Sequence, residues 1–95
     1  GNLQKVVLGK CVAPNPRILL LNNPTRGIDV GARFQIYNII RGLVNEGISV
    51  ILLSEDLPEL IGMSDRIIVM RKGRISNAFE PYSKPTEQEV VTYMI

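Results

Sequence analysis

Ile18-Leu19-Leu20-Leu21-Asn22-Asn23-Pro24-Thr25-Arg26-Gly27-Ile28-Asp29 is the stretch on which the fold turns. With Arg17 before it, the run to Leu21 is short, apolar and unbroken, the pattern of a strand buried on both faces. Asn22 to Gly27 then gathers amides, a proline and a glycine, and reads as a loop. From about Val30 to Asn45 the apolar residues Phe34, Tyr37, Ile40, Leu43 and Val44 recur at helical spacing, and Glu46-Gly47 closes the helix. Asp29 stands where it can cap that helix.

Upstream, Asn2 can cap a helix running to about Pro14, with Leu3, Val7 and Cys11 on one face. Pro14 and Pro16 end it. Downstream, Ile48–Leu53 predicts a second buried strand, rich in β-branched residues. A short helix over Leu57–Gly62 comes next, with Ser54 as its cap and Glu55 in its first turn. Asp65–Arg71 and Gly73–Phe79 predict two further strands, antiparallel across the Lys72-Gly73 turn. Thr86, with Glu87 and Glu89, opens a last helix reaching Met94. The order α-β-α-β-α-β-β-α implies an α/β layered fold: a mostly parallel sheet flanked by helices, with a C-terminal antiparallel strand. Its 95 residues make one domain, 1–95.

Composition narrows the chemistry. A net charge of +2, no tryptophan, and only three tyrosines and two phenylalanines argue against nucleic acid as a partner. The single Cys11 rules out an internal disulfide and reads best as a buried thiol. Histidine is absent, which removes the usual imidazole base and the commonest metal ligand. The longest apolar runs fall far short of the ~20 residues needed to span a bilayer. No Gly-x-x-x-x-Gly-Lys-Ser/Thr phosphate loop occurs, so the chain alone is expected to bind neither ATP nor magnesium.

Ile18 through Ala32 resembles the Walker B strand and D-loop of ABC-type (ATP-binding cassette) ATPases. Pro24-Thr25-Arg26-Gly27-Ile28-Asp29-Val30-Gly31-Ala32 is similar to importers for ribose-type sugars and nucleosides, whose subunits carry two cassettes in tandem. Gly1-Asn2-Leu3-Gln4-Lys5-Val6-Val7-Leu8 resembles the end of the signature sequence. Ser54-Glu55-Asp56-Leu57-Pro58-Glu59 stands at the switch region, and Ser64 to Ile75 matches the family segment next in order. The resemblance covers nearly the whole chain. It implies a partial P-loop NTPase (ABC-type) fold, the C-terminal part of a second cassette.

What the resemblance implies for residues depends on the departures. The family's catalytic positions fall at Asn22, Asn23 and Glu55. Family members carry Asp then Glu at the first two; the Asp, at Asn22 here, belongs to the magnesium shell. Asn22 keeps hydrogen bonding without charge, and Asn23 accepts no proton at neutral pH. This pair reads as a degenerate nucleotide site, as loop-forming amides indifferent to nucleotide, or as an engineered replacement. A histidine at position 55 would donate to the γ-phosphate, whereas Glu55 repels it. Nucleotide-binding positions fall at Gly1, Asn2 and Gln4 of the signature segment, and at Asp29, which in the family touches the partner cassette. The helix start at Gly1-Asn2 reads equally as an ordinary cap or as N–H groups aimed at phosphate. Gly27 and Gly31 serve backbone geometry.

The resemblance thus implies part of the ATP-binding subunit of a sugar or nucleoside importer, on the cytoplasmic face of the cell membrane. Its partners would be a second ABC cassette and transmembrane permease subunits, and its cofactors, in the full-length family, ATP and Mg. The chain itself would be inactive, lending signature helix and D-loop to a competent site. The alternative is a pseudo-cassette that dimerises or regulates without nucleotide. An unrelated enzyme would need a cluster that Asp56, Glu59 and Asp65 do not form. A sheet edge left exposed would favour a homodimer of the chain.

Overall fold

A computed structural model describes Gly9, Lys10 and residues 16–95. The chain divides into two compact units, one ending at Ser54 and one spanning Glu55–Ile95. Gly9 and Lys10 are helical and exposed. The helix expected from Asn2 to Pro14, with Cys11 and the positions Gly1, Asn2 and Gln4, otherwise lies outside the described residues.

In the first unit, strand β1 (Ile18–Asn22) leads through the loop to helix α1 (Val30–Asn45), and strand β2 (Ser49–Leu53) returns beside β1. The strands pair in parallel, Ile18 opposite Ser49 through Asn22 opposite Leu53. A helix between two parallel strands is the connection that parallel pairing requires. At the end of α1 the N–H of Glu46 reaches the Gly42 and Leu43 carbonyls, and Gly47 takes φ 97° to leave the helix.

The burial expected of the two strands is corrected. Leu19 and Leu21 are buried, but Ile18 and Leu20 are each 63% exposed, and Ile51 and Leu53 on the same sheet face are exposed as well. The strand therefore alternates instead of burying both faces. In this unit α1 packs against β2, and only the face carrying Leu19 and Leu21 is closed. The stripe of α1 that reaches the core is Ile36, Ile40 and Leu43. Phe34 is 60% exposed and meets Tyr37 edge-to-face at 6.1 Å, while Val44 also faces outward.

The second unit comprises helix α2 (Leu57–Met63), strands β3 (Ile68–Arg71) and β4 (Arg74–Ala78), and helix α3 (Glu87–Met94). β3 and β4 form their own antiparallel pair, with a register irregularity between Val69 and Met70. Lys72 and Gly73 turn between them at φ 51° and 77°, the double left-handed turn that matches strand twist. Ile67, Val69 and Val90 form the core, with Leu57, Leu60, Ile61 and Phe79 packed on it. Thr86 and Glu89 close a capping box at the start of α3: the Glu89 N–H donates to Thr86 Oγ1, and the Thr86 N–H to Glu89 Oε1. Fold class is as the sequence predicts, α/β with parallel and antiparallel pairing.

Ile36 is 1% exposed on the core face of α1. Ile36→Ala is expected to destabilise the chain by about 2–5 kcal/mol, read as a shift in the denaturant midpoint at unchanged slope.

Candidate functional site

The C-terminal end of β1 carries the first candidates. Asn22 closes the ladder opposite Leu53, and the Asn23 N–H donates to the Leu53 carbonyl at 2.7 Å. The two amides then meet: Asn23 Nδ2 donates to Asn22 Oδ1 at 3.0 Å. Asn23 takes φ 46°, the left-handed region that asparagine enters more readily than most residues.

From this corner the loop is held by successive short-range bonds. The Arg26 N–H donates to the Asn23 carbonyl at 3.1 Å, and the Ile28 N–H to the Thr25 carbonyl at 3.3 Å. Thr25 and Ile28 are buried and anchor the loop; Gly27 takes φ 77° between them. Asp29 then caps α1, Oδ1 accepting from the Ala32 N–H at 2.8 Å, as the sequence predicts. Its carboxylate lies at the exposed surface. Arg33 Nε donates back to the Ile28 carbonyl at 3.2 Å, tying the first turn of the helix to the loop.

The structure separates the two glycines. Gly27 needs its positive φ, but Gly31 lies in α1 with ordinary helical geometry, where a Cβ would meet only Asp29 Oδ1 at 3.6 Å. Thr25 went unread in the sequence. A buried threonine inside a polar turn leaves no periodic signal, and only its place after Pro24 hinted at an ordered loop.

Glu55 belongs to the second unit, where it is exposed and precedes α2. The expected cap at Ser54 is corrected: Asp56 is the N-cap, its Oδ1 accepting from the Glu59 N–H at 3.0 Å. Asp56 is the residue three before Glu59, with Pro58 in the first turn, so the helix starts later than a Ser54 cap requires. Glu55 is thereby outside the helix. The hollow beside α2, lined by Ile61, Ser64, Asp65 and Lys84 among others, opens to solvent and has a cavity volume of about 10 Å³, room for about one water molecule.

No family model matches the chain. The xylose import ATP-binding protein XylG of Moorella thermoacetica is 52% identical over 91 residues, which is 96% of this chain and 18% of that protein. XylG of Pectobacterium atrosepticum is 57% identical and XylG of Escherichia coli 53%, each over 75 residues, 79% of this chain and 15% of theirs. The chain belongs to the ABC-type transporter ATPases. It spans less than a fifth of the length of these relatives.

For an ABC-type ATPase the implied group at the end of β1 is a nucleotide with magnesium. The donor set here does not fit the ion. Magnesium is held through carboxylates and water, whereas position 22 offers a neutral amide whose oxygen already accepts from Asn23. Among the described residues no group of three or more His, Cys, Asp or Glu is placed to hold a metal. Asn22 and Asn23 are brought together, and they make a hydrogen-bonded corner with no proton acceptor at neutral pH. Asp29 carries the nearest carboxylate in sequence, and it is committed to the cap. Among the described residues no helix is long and apolar enough to cross a membrane.

The glycines give a sharp test. Gly27→Ala is expected to cost about 1–2 kcal/mol, the penalty of a left-handed alanine. Gly31→Ala is expected to stabilise by up to about 0.5 kcal/mol, because Gly31 stands in the first turn of α1, where alanine is favoured over glycine by less than in a helix interior. Paired urea melts of the two variants check both signs.

Proposed function

We propose that this chain is part of the ATP-binding subunit of a sugar importer, from the C-terminal part of a second cassette, with residues 1–95 forming one partial ATPase domain. Xylose import is in the name of each of the three relatives, which favours a sugar over a nucleoside as cargo. Its work is done in trans. The segment from β1 to α1 contributes the D-loop, with Asp29 facing a second cassette, and the segment at Gly1, Asn2 and Gln4 contributes the signature. Hydrolysis belongs to the partner's site, and closure of the pair is passed to permease subunits at the cytoplasmic face of the membrane.

The observation behind this reading is the amide corner beside an intact loop. Asn23 Nδ2 is bonded to Asn22 Oδ1, so the positions where the family places its two carboxylates hold a neutral, internally paired unit. At the same time the loop to Asp29 keeps its turn bonds and cap. Such a half loses catalysis yet retains the surface that a partner needs. Activation of water requires a base near its working pH, and neither amide is one. Glu55, exposed ahead of α2, adds negative charge where the family has a phosphate donor, which opposes nucleotide.

Calorimetric titration of the chain with ATP and magnesium, with phosphate release followed in the same samples, tests the proposal. The expected result is neither binding heat nor turnover up to about millimolar ATP, corresponding to less than about 4 kcal/mol of affinity. Micromolar binding, with or without turnover, would overturn it, because a nucleotide site would then exist without a phosphate loop in the chain.

A further inference from the structure

Asn23 carries more of the loop than a failed catalytic position needs to. Its N–H makes the bond that extends the β1–β2 ladder past Asn22, to the Leu53 carbonyl at 2.7 Å. The chain must leave the sheet at this point. Pro24 comes next, and a residue before proline is disfavoured in the right-handed helical region. Two courses remain: to run on as strand, or to turn left-handed. Asn23 turns, at φ 46°. Pro24 has no N–H to lose in the turn.

The direction of this corner sets everything between it and α1. The Asn23 carbonyl accepts from the Arg26 N–H, the Thr25 carbonyl from the Ile28 N–H, and Thr25 and Ile28 are buried. Asp29 comes next, locked by the Ala32 N–H on one side and by Arg33 Nε on the preceding carbonyl. The side-chain bond from Asn23 Nδ2 to Asn22 Oδ1 adds a second tie at the corner.

We propose that Asn23 is a positioning residue: its left-handed corner, closed on Leu53, sets the path of the loop that presents Asp29. Asparagine suits this role because its short amide tolerates the left-handed region, which longer or branched side chains enter only at a cost. The amide thus serves the geometry of the loop rather than marking only a loss of chemistry. What Asp29 is presented to rests on the proposed role in a cassette pair; the corner itself does not.

Two variants isolate the backbone. Asn23→Gly and Asn23→Ala both delete the amide bond to Asn22, and they differ in their tolerance of positive φ. The full chain is expected to melt about 4–8 °C lower with alanine than with glycine. Hydrogen exchange at the Arg26 and Ala32 amides should rise about tenfold in Asn23→Ala and stay within about twofold of wild type in Asn23→Gly. Equal melting and equal exchange in the two variants would overturn the proposal. If Asn23→Ala does not fold, Asn23→Asp, which also tolerates the left-handed region, is the second measurement. It should keep the wild-type exchange at Ala32, and loss of that protection in both Asp and Gly variants would overturn the proposal. The Ala32 amide reports on Asp29 without ATP or any partner. A failure here is therefore distinct from a failure of the ATP titration.

Discussion

The parallel pairing of β1 with β2 is the constraint on which the candidate site depends. It runs from Ile18 opposite Ser49 to Asn22 opposite Leu53, and the Asn23 N–H extends it by one bond to the Leu53 carbonyl. Parallel strands cannot be joined by a tight turn, so the chain has to travel through a loop and a long helix before it returns. The end of the ladder therefore becomes the start of a loop whose exit direction is fixed. Sites in α/β folds gather at the carboxyl ends of such strands for this reason. Here the place is taken by two amides bonded to each other.

The consequence is a site with structure and little chemistry. Left-handed Asn23 and Gly27, buried Thr25 and Ile28, and the Asp29 cap give a defined path from strand to helix. None of those groups except Asp29 carries charge, and Asp29 uses one carboxylate oxygen on the Ala32 N–H. The second unit is organised independently around Val90 against Ile67 and Val69, with the Thr86–Glu89 capping box starting its last helix. Its opening residue Glu55 stays exposed before the Asp56 cap.

Much of this was legible in the residues, for reasons that also explain the misses. The Asp29 cap and the bounds of α1 derive from a capping residue ahead of a periodic run and a glycine behind it. The Lys72-Gly73 turn and the Thr86 capping box are equally local. The core face of α1 was only partly legible: Val30, Phe34, Ile36, Tyr37, Ile40, Leu43 and Val44 spread over about half the helix circumference, and periodicity alone does not say that only the part carrying Ile36, Ile40 and Leu43 is covered. That β1 buries only one face was not legible either, since an apolar run reads the same whether one face or both are covered. Ser54 and Asp56 are both competent caps, and only the placement of Pro58 and Glu59 decides between them. The φ of Asn23 is a tertiary outcome: Asn-Pro signals a turn, but the Leu53 carbonyl that closes it lies on another strand.

Family membership rests on identity across most of the chain, while the proposed loss of hydrolytic groups rests on two positions, Asn22 and Asn23. These meet in one experiment. Residues 16–95 of this chain can replace the matching segment of the Moorella thermoacetica protein, which is 52% identical to it. ATP turnover by that chimera is then compared with and without two changes. If the segment acts through its loop, Asp29→Ala lowers turnover about tenfold or more, whereas Asn22→Ala leaves it within about twofold. Turnover that survives Asp29→Ala and collapses with Asn22→Ala would contradict this, and would place working chemistry in the amide corner.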